Sequence, residues 1–117
     1  MIEKIIREKL LEALGCGVYF TEPAKPPREY VLIGRIGSSE GAARVINSVL
    51  LAVRSINADS IGGAMELNER VKRAMAELEA DDRFTRVRCN SDSDLTDPET
   101  RRFGMQALFE ITYYEEE

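Results

Sequence analysis

The first apolar pattern of the chain begins at its second residue. Between residues 2 and 14, apolar side chains recur every three or four positions, and charged side chains occupy the positions between them. This spacing is typical of a helix that packs one face on a core. Gly15 follows the last apolar position, where a helix-ending glycine is expected. The pattern therefore predicts an amphipathic helix over residues 2–14.

A second helical pattern follows a stretch of N-cap residues at positions 57–60. Glu66 and Arg70, like Glu69 and Arg73, are acid-before-base pairs four residues apart, a spacing that stabilises a helix. The apolar residues share one face at helical spacing: Ala64, Leu67, Val71, Ala74, Met75 and Leu78. We therefore expect a second helix over roughly residues 60–79.

Strand-like patterns lie in five other segments. They are residues 18–20, 30–33, 44–56, 84–89 and 103–114. The last of these alternates between apolar and polar residues most regularly, as a strand with one buried face does. Gly34, Gly37 and Gly41 indicate that the second segment ends in a turn. Three prolines within residues 22–27 predict an extended loop before it.

Segment 44–56 is less regular, because apolar side chains would fall on both sides of a strand. Its spacing also fits a helix, but its β-branched content favours a long strand. Apolar residues on both sides indicate one of two arrangements. Either this is a central strand covered on both faces, or a neighbouring subunit covers one face.

The elements follow the order α-β-loop-β-β-α-β-β and predict an α+β fold. We expect a mixed, largely antiparallel sheet of four to five strands with two amphipathic helices packed on it. The chain has 117 residues, shows no internal repeat and is short enough for one domain. The prediction is a single domain over residues 1–117, with a flexible polar loop at 90–102 and an acidic tail at 115–117.

Composition narrows the classes of function. Hydrophobic residues make up 44% and charged residues 32%, a balance typical of globular domains. A net charge of −5 disfavours attraction to phosphate backbones, so we expect no specific nucleic-acid binding. No apolar stretch approaches the roughly 18 residues of a membrane span. The first residues also lack the uninterrupted apolar region of a signal peptide. We therefore expect no membrane partner.

Residue types that carry common chemistry are scarce. The chain has no histidine, which is the usual general base near neutral pH and the commonest metal ligand. Its two cysteines, Cys16 and Cys89, have no second pair with which to form a zinc site or a disulfide framework. We therefore predict no catalytic residue, no metal and no cofactor.

The acidic stretch NSDSDLTDPE at residues 90–99 is the main candidate for chemistry. Asn90, Asp92 and Asp94 alternate like the start of an EF-hand loop. Leu95 replaces the glycine that such a loop needs at its sixth position, and Arg101 replaces the glutamate at its twelfth. Asp-Pro at 97–98 is turn chemistry, so a solvated connection between strands is favoured. The alternative is a small ligand- or cation-binding domain that uses Asp92, Asp94 or Asp97.

Several segments taken together resemble a known family. VYFTEP follows the first helix, and a proline-bounded PREYVLIGRIGSS comes next. AMELNERVKRAM lies in the second helix, and NSDSDLTDPETRRFGMQALFEITYY closes the chain. In combination, over residues 1–114, they resemble the tail terminator family of long-tailed bacteriophages and prophages. One departure is that Phe103 is followed by Gly104 and Met105, where the family often has Arg-Tyr.

The resemblance implies a structural protein rather than an enzyme. Members of the family form a hexameric ring on the finished tail tube, stop its polymerisation and present a face to the head-side connector. The implied partners are further copies of the chain, the major tail tube protein and a head-completion or connector protein. The implied location is the virion tail, with the host bacterial cytoplasm as the site of assembly.

A different neck component, such as a head-closure or adaptor ring, is the alternative within the same class. The acidic loop would order against a neighbouring subunit or the tail tube. The candidate interface residues are Asp92, Asp94, Asp97, Arg101 and Arg102.

Overall fold

The computed structural model describes residues 2–40, 46–96 and 102–114, and in these it contains a five-stranded sheet and two α-helices. The elements in chain order are α1 (Ile2–Leu14), β1 (Gly17–Tyr19), β2 (Glu29–Glu40), β3 (Ile46–Asn57), α2 (Ile61–Glu77), a 3-10 turn (Leu78–Ala80), β4 (Phe84–Asp94) and β5 (Phe103–Tyr114). The strand order is β1-β2-β3-β5-β4. β1 runs parallel to β2, and the other pairs are antiparallel. The predicted element order and α+β fold class are confirmed.

The two helices form where the apolar spacing predicts them, and both end as their sequences indicate. Gly15 has a φ of 69°, a left-handed conformation that glycine adopts without strain, and this residue ends α1. At the start of α2, the side chain of Ser60 accepts a hydrogen bond of 2.9 Å from the backbone N–H of Gly63. The apolar faces of the two helices supply the first layer of the core: Ile2, Ile6, Leu10, Leu14, Leu67, Val71 and Met75.

The second layer of the core comes from one face of the sheet, which we call the helix-covered face. β3 and β5 pair so that Leu51 lies opposite Phe109 and Val53 opposite Ala107, and all four side chains are buried. Because successive side chains of a strand point to opposite faces, the residues between them point away from the helices. Burying a leucine or phenylalanine side chain contributes about 1.5–3 kcal/mol, so the contact between this layer and the helices is a main source of stability.

The other side of the sheet, which we call the open face, carries the alternate residues of β2, β3 and β5. They include Tyr30, Leu32, Leu50, Arg54, Ile56 and Leu108. Within the described residues, neither helix packs on this face. The prediction that segment 44–56 forms a strand is confirmed for residues 46–56, which belong to the central strand β3. The alternative that the chain covers both faces of this strand is wrong for the described residues, because the helices pack on one face only. The alternative that a neighbouring subunit covers its second face stays a prediction.

The predicted turn after residue 33 is wrong. β2 continues through Gly34 and Gly37 to Glu40, paired with β3 along its length. A bulge between Arg35 and Gly37 shifts the register, and this is where glycine is tolerated inside a strand. Gly41, at the end of the predicted turn, lies outside the described residues.

The fourth strand is longer than the predicted segment 84–89. It continues to Asp94, so Asn90–Asp94 belong to β4 and pair with β5, and the start of a loop at Asn90 is wrong. The periodicity failed here because β4 is an edge strand whose second half is exposed and polar, so backbone pairing decides its structure. Residues 97–101 lie outside the described residues, and the flexibility of this segment stays a prediction.

Candidate functional site

Asp92, one of the candidate interface residues, contacts α2 of its own chain, and its contact with a neighbouring subunit or the tail tube stays a prediction. Its carboxylate lies 2.6 Å from the ammonium of Lys72 and accepts a hydrogen bond of 3.3 Å from the side-chain amide of Asn68. The hydrogen bond from Lys72 lowers the pKa of Asp92, and the same bond, together with one to Glu69, raises the pKa of Lys72. Asp92 therefore attaches the edge strand to the helix.

Asp94 is the last residue of β4 and bonds the chain that follows it. Its carboxylate accepts a hydrogen bond of 2.7 Å from the backbone N–H of Thr96. The hydrogen bonds from Thr96 also lower the pKa of Asp94. The N–H of Leu95 donates a hydrogen bond of 2.8 Å to the carbonyl of Gly104, next to the last residue pair of β4 and β5. This is the local turn chemistry that aspartate commonly performs.

Arg102 lies on the open face, away from Asp92. Its guanidinium carbon is 5.6 Å from the centre of the Tyr30 ring, within the range of a cation–π contact. One guanidinium nitrogen also approaches the Tyr30 hydroxyl at 3.4 Å. The structure therefore separates Arg102 from Asp92 and Asp94 instead of bringing the three together. The other two candidates, Asp97 and Arg101, lie outside the described residues.

The open face contains a groove that the sequence patterns did not predict. It has a volume of about 430 Å³ and is lined by Glu22, Tyr30, Leu32, Arg54, Ile56, Leu95, Arg102, Gly104 and Met105. Residues from β2, β3 and β5 meet there because these strands are neighbours in the sheet. The signal in the sequence was the apolar run at 30–33, which has apolar side chains on both sides of its strand.

Tyr30 is the most buried side chain of the groove. Only 1% of its surface is exposed, and its hydroxyl donates a hydrogen bond to the carboxylate of Glu22. Burial, and then the hydrogen bond to Glu22 and its charge, raise the pKa of Tyr30 to about 12, although Arg102 acts in the opposite direction. The phenol therefore stays protonated and serves as a fixed polar contact between β2 and the loop before it.

The described residues offer no cluster for metal or membrane binding. Among residues 2–40, 46–96 and 102–114, no three acidic, cysteine or histidine side chains lie close enough to hold a metal ion. No helix in the same ranges is long and apolar enough to cross a membrane. The alternative of a cation-binding domain uses Asp92, Asp94 or Asp97; the first two have partners within the chain, and Asp97 lies outside the described residues.

The chain resembles a solved structure in its fold, but its sequence matches neither a family model nor a curated protein. No family model matches the chain, and no curated protein sequence matches it. Among solved structures, a chain of the "Virion of native gene transfer agent (GTA) particle" superposes with a TM-score of 0.71. The two chains are 13% identical, and the alignment covers 94% of this chain and 92% of that chain. This chain therefore shares its whole fold with a component of a gene transfer agent virion.

Proposed function

We propose that this protein is a structural component of a phage-like virion, and that within the virion it acts as a tail terminator. The observation that carries the proposal is the fold likeness to a chain of a gene transfer agent virion over nearly the full length of both chains. The resemblance of several sequence segments to the tail terminator family supports the finer assignment. The role is structural rather than enzymatic.

The exposed apolar residues of the open face suit an assembly protein. Phe20, Ile36 and Leu95 are each more than 40% exposed and lie along the grooves of this face. Exposed apolar patches commonly mark surfaces that are covered in an assembly. A closed ring needs heterologous contacts, in which one surface of a subunit meets a different surface of the next. The open face supplies one such surface.

The proposed ring contains several copies of the chain, six by the family resemblance. It sits on the last ring of the major tail tube protein, stops further addition of tube subunits and presents its other side to a head-completion or connector protein. The protein would then be found in the virion tail, after assembly in the host bacterial cytoplasm.

Deletion of the gene from the phage-like element that carries it tests this function. We expect tails of irregular and excessive length, measured by electron microscopy of negatively stained lysates, because tube polymerisation then lacks its stop. A plasmid copy of the gene should restore one uniform length. Uniform tails of normal length in the deletion strain would contradict the proposal.

A different neck component is the second candidate. The fold likeness to a chain of a gene transfer agent virion supports this candidate as well as the first. A head-closure or adaptor ring predicts another phenotype in the same deletion strain, namely tails of normal length that carry no heads. The two candidates therefore give distinguishable particles in one experiment.

A further inference from the structure

The open face carries a continuous groove with an apolar floor. The depression around Tyr30 and Arg102 shares Glu22, Leu32 and Arg54 with a second depression of about 410 Å³. The second depression is lined in addition by Phe20, Ile33, Gly34, Arg35, Ile36 and Ala52. Among the described residues, three of the five large apolar side chains with high exposure border this groove. The groove is therefore the main candidate for a docking surface.

Two arginines of the groove lack an acidic partner within the described residues. Arg54 donates a hydrogen bond of 3.1 Å to the neutral amide of Gln106, and Arg102 lies over the ring of Tyr30. Several cations outside the groove have carboxylate partners, as Lys72 has in Asp92 and Arg83 in Asp81. Glu22, the acidic residue of the groove, is bonded to the Tyr30 hydroxyl. The groove thus offers two guanidinium groups beside apolar side chains, which suits an acidic segment with an aromatic residue.

Such a segment lies at the end of β5. Tyr114 is 46% exposed, and three glutamates, Glu115–Glu117, follow it directly. We propose that the groove binds these glutamates, with Tyr114 beside them, from a second copy of this chain. The proposal rests on the assembly role proposed above and specifies how neighbouring subunits of the ring contact one another.

The glutamates cannot reach the two arginines of the groove in their own chain. Tyr114 pairs with Ile46 at one end of β3, whereas Arg54 pairs with Gln106, and Arg102 precedes the start of β5. At about 3.4 Å per residue, the strand between Gln106 and Tyr114 spans roughly 27 Å. Glu117 lies three residues beyond Tyr114, a reach of at most about 11 Å. The contact is therefore between copies and heterologous, as a ring requires.

Charge reversal on each side of the contact tests this inference. One variant, Arg54→Glu/Arg102→Glu, reverses the groove; a second, Glu115→Lys/Glu116→Lys/Glu117→Lys, reverses the acidic segment. A control, Arg73→Glu/Arg86→Glu, changes the net charge as much as the groove variant does, at two exposed positions outside the groove. Self-association of the full chain is measured by sedimentation velocity over a range of concentrations. Circular dichroism confirms that each variant is folded.

We expect the wild-type chain and the control to associate, and each reversal to weaken association by about tenfold or more, because like charges then face each other. An equimolar mixture of the two reversal variants should restore association, since each reversed surface meets a complementary one on the other variant. A defect in folding or packing within one chain would not be restored by mixing.

Three results overturn the inference: a monomeric wild-type chain, reversal variants that associate like the wild type, or a mixture that does not restore association. Failure of the proposed function gives a different result. In that case the mixture restores association, but deletion of the gene leaves tail length unchanged. Conversely, if both reversal variants associate as the wild type does, the proposed contact is contradicted. The terminator function is then tested by the tail-length experiment alone.

Discussion

The two faces of the sheet differ in how many of their side chains find partners within the chain. On the helix-covered face, apolar side chains are buried, and the polar residue Asp92 has partners on α2. On the open face, apolar side chains border solvent, and Arg54 contacts a neutral amide. The difference separates the residues whose partners lie within the chain from those that the chain leaves open to solvent.

Substitution of adjacent leucines in β3 gives the largest contrast between the faces. Leu51 is fully buried under the helices, whereas Leu50 is half-buried on the open face. Leu51→Ala should lower the free energy of unfolding by about 2–5 kcal/mol, since it leaves a cavity in the core. Leu50→Ala should lower it by less than about 1.5 kcal/mol in the isolated chain. Urea denaturation of both variants measures the difference, and equal losses would contradict the distinction between the faces.

The next contrast concerns the polar contacts that fix α2 to the helix-covered face. The side-chain oxygen of Asn57 accepts hydrogen bonds from the N–H groups of Asp59 and Ser60, at 2.7 and 3.1 Å, and its amide donates to Glu29 at 3.0 Å. Asn57→Ala should lower the free energy of unfolding by about 1–3 kcal/mol in urea denaturation, because these partly buried hydrogen bonds lose their partner.

Two adjacent glycines of α2 provide a matched test of the same packing. A Cβ at Gly63 would lie 2.4 Å from the side chain of Asn57, whereas a Cβ at Gly62 would lie no closer than 4.0 Å to Ser60. Gly63→Ala should therefore lower the melting temperature. Gly62→Ala should raise it slightly, by the gain of about 0.5–1 kcal/mol that alanine brings to a helix. Equal effects in thermal unfolding would show that Asn57 does not restrict this site.

The hydrogen bond between Tyr30 and Glu22 is a buried polar contact of the open face, and its contribution to stability should be lost at high pH. Tyr30→Phe removes the hydrogen bond to Glu22 and should lower the stability by about 1 kcal/mol at neutral pH. The pKa of Tyr30 is raised from 10.0 to about 12, so its contribution is present below pH 10 and is lost as the pH rises through 12. The difference between wild type and variant should therefore disappear above about pH 12. Absorbance titration should show a phenol step near pH 12 in the wild type alone.

The smallest effect concerns Asp92. Its contact with Lys72 is exposed, so Asp92→Asn should lower the stability by no more than about 1 kcal/mol after screening by solvent. Because the pKa of Asp92 is lowered below 3.8, this contribution is present above that pH and is lost as the pH falls through the folded-state value. Denaturation at pH 6 should separate wild type from variant, and denaturation near pH 2 should not. A pH-independent difference would mean that the charge of Asp92 is not what stabilises the contact.

The periodic elements could be predicted from the sequence because burial repeats along them. α1, α2 and β5 each bury one side, so their apolar residues recur at 3.6 or 2 positions. The ends of β2 and β4 could not be predicted in this way. Gly34 and Gly37 resemble a turn, and Asn90–Asp94 resemble a loop, but backbone pairing with β3 and β5 holds both segments in the sheet.

The candidate site was harder to predict because it depends on topology. Asp92 and Arg102 are ten positions apart in sequence, yet they contact α2 on one face and Tyr30 on the other. Tyr30 and Arg102 are 72 positions apart and meet in the groove. A single sequence shows which side chains carry charge, but it does not show which of them are already paired within the chain.

Tail length in a complemented deletion strain tests the central claim, that the open face is an assembly surface of a tail terminator. The deletion strain is supplied with wild-type protein, with Arg54→Glu/Arg102→Glu or with Arg73→Glu/Arg86→Glu, at matched expression, and tails are measured by electron microscopy. The account predicts uniform tails with the wild type and with Arg73→Glu/Arg86→Glu, and overlong, irregular tails with Arg54→Glu/Arg102→Glu. Uniform tails of normal length with Arg54→Glu/Arg102→Glu would contradict it, and so would uniform tails in the strain without any copy of the protein.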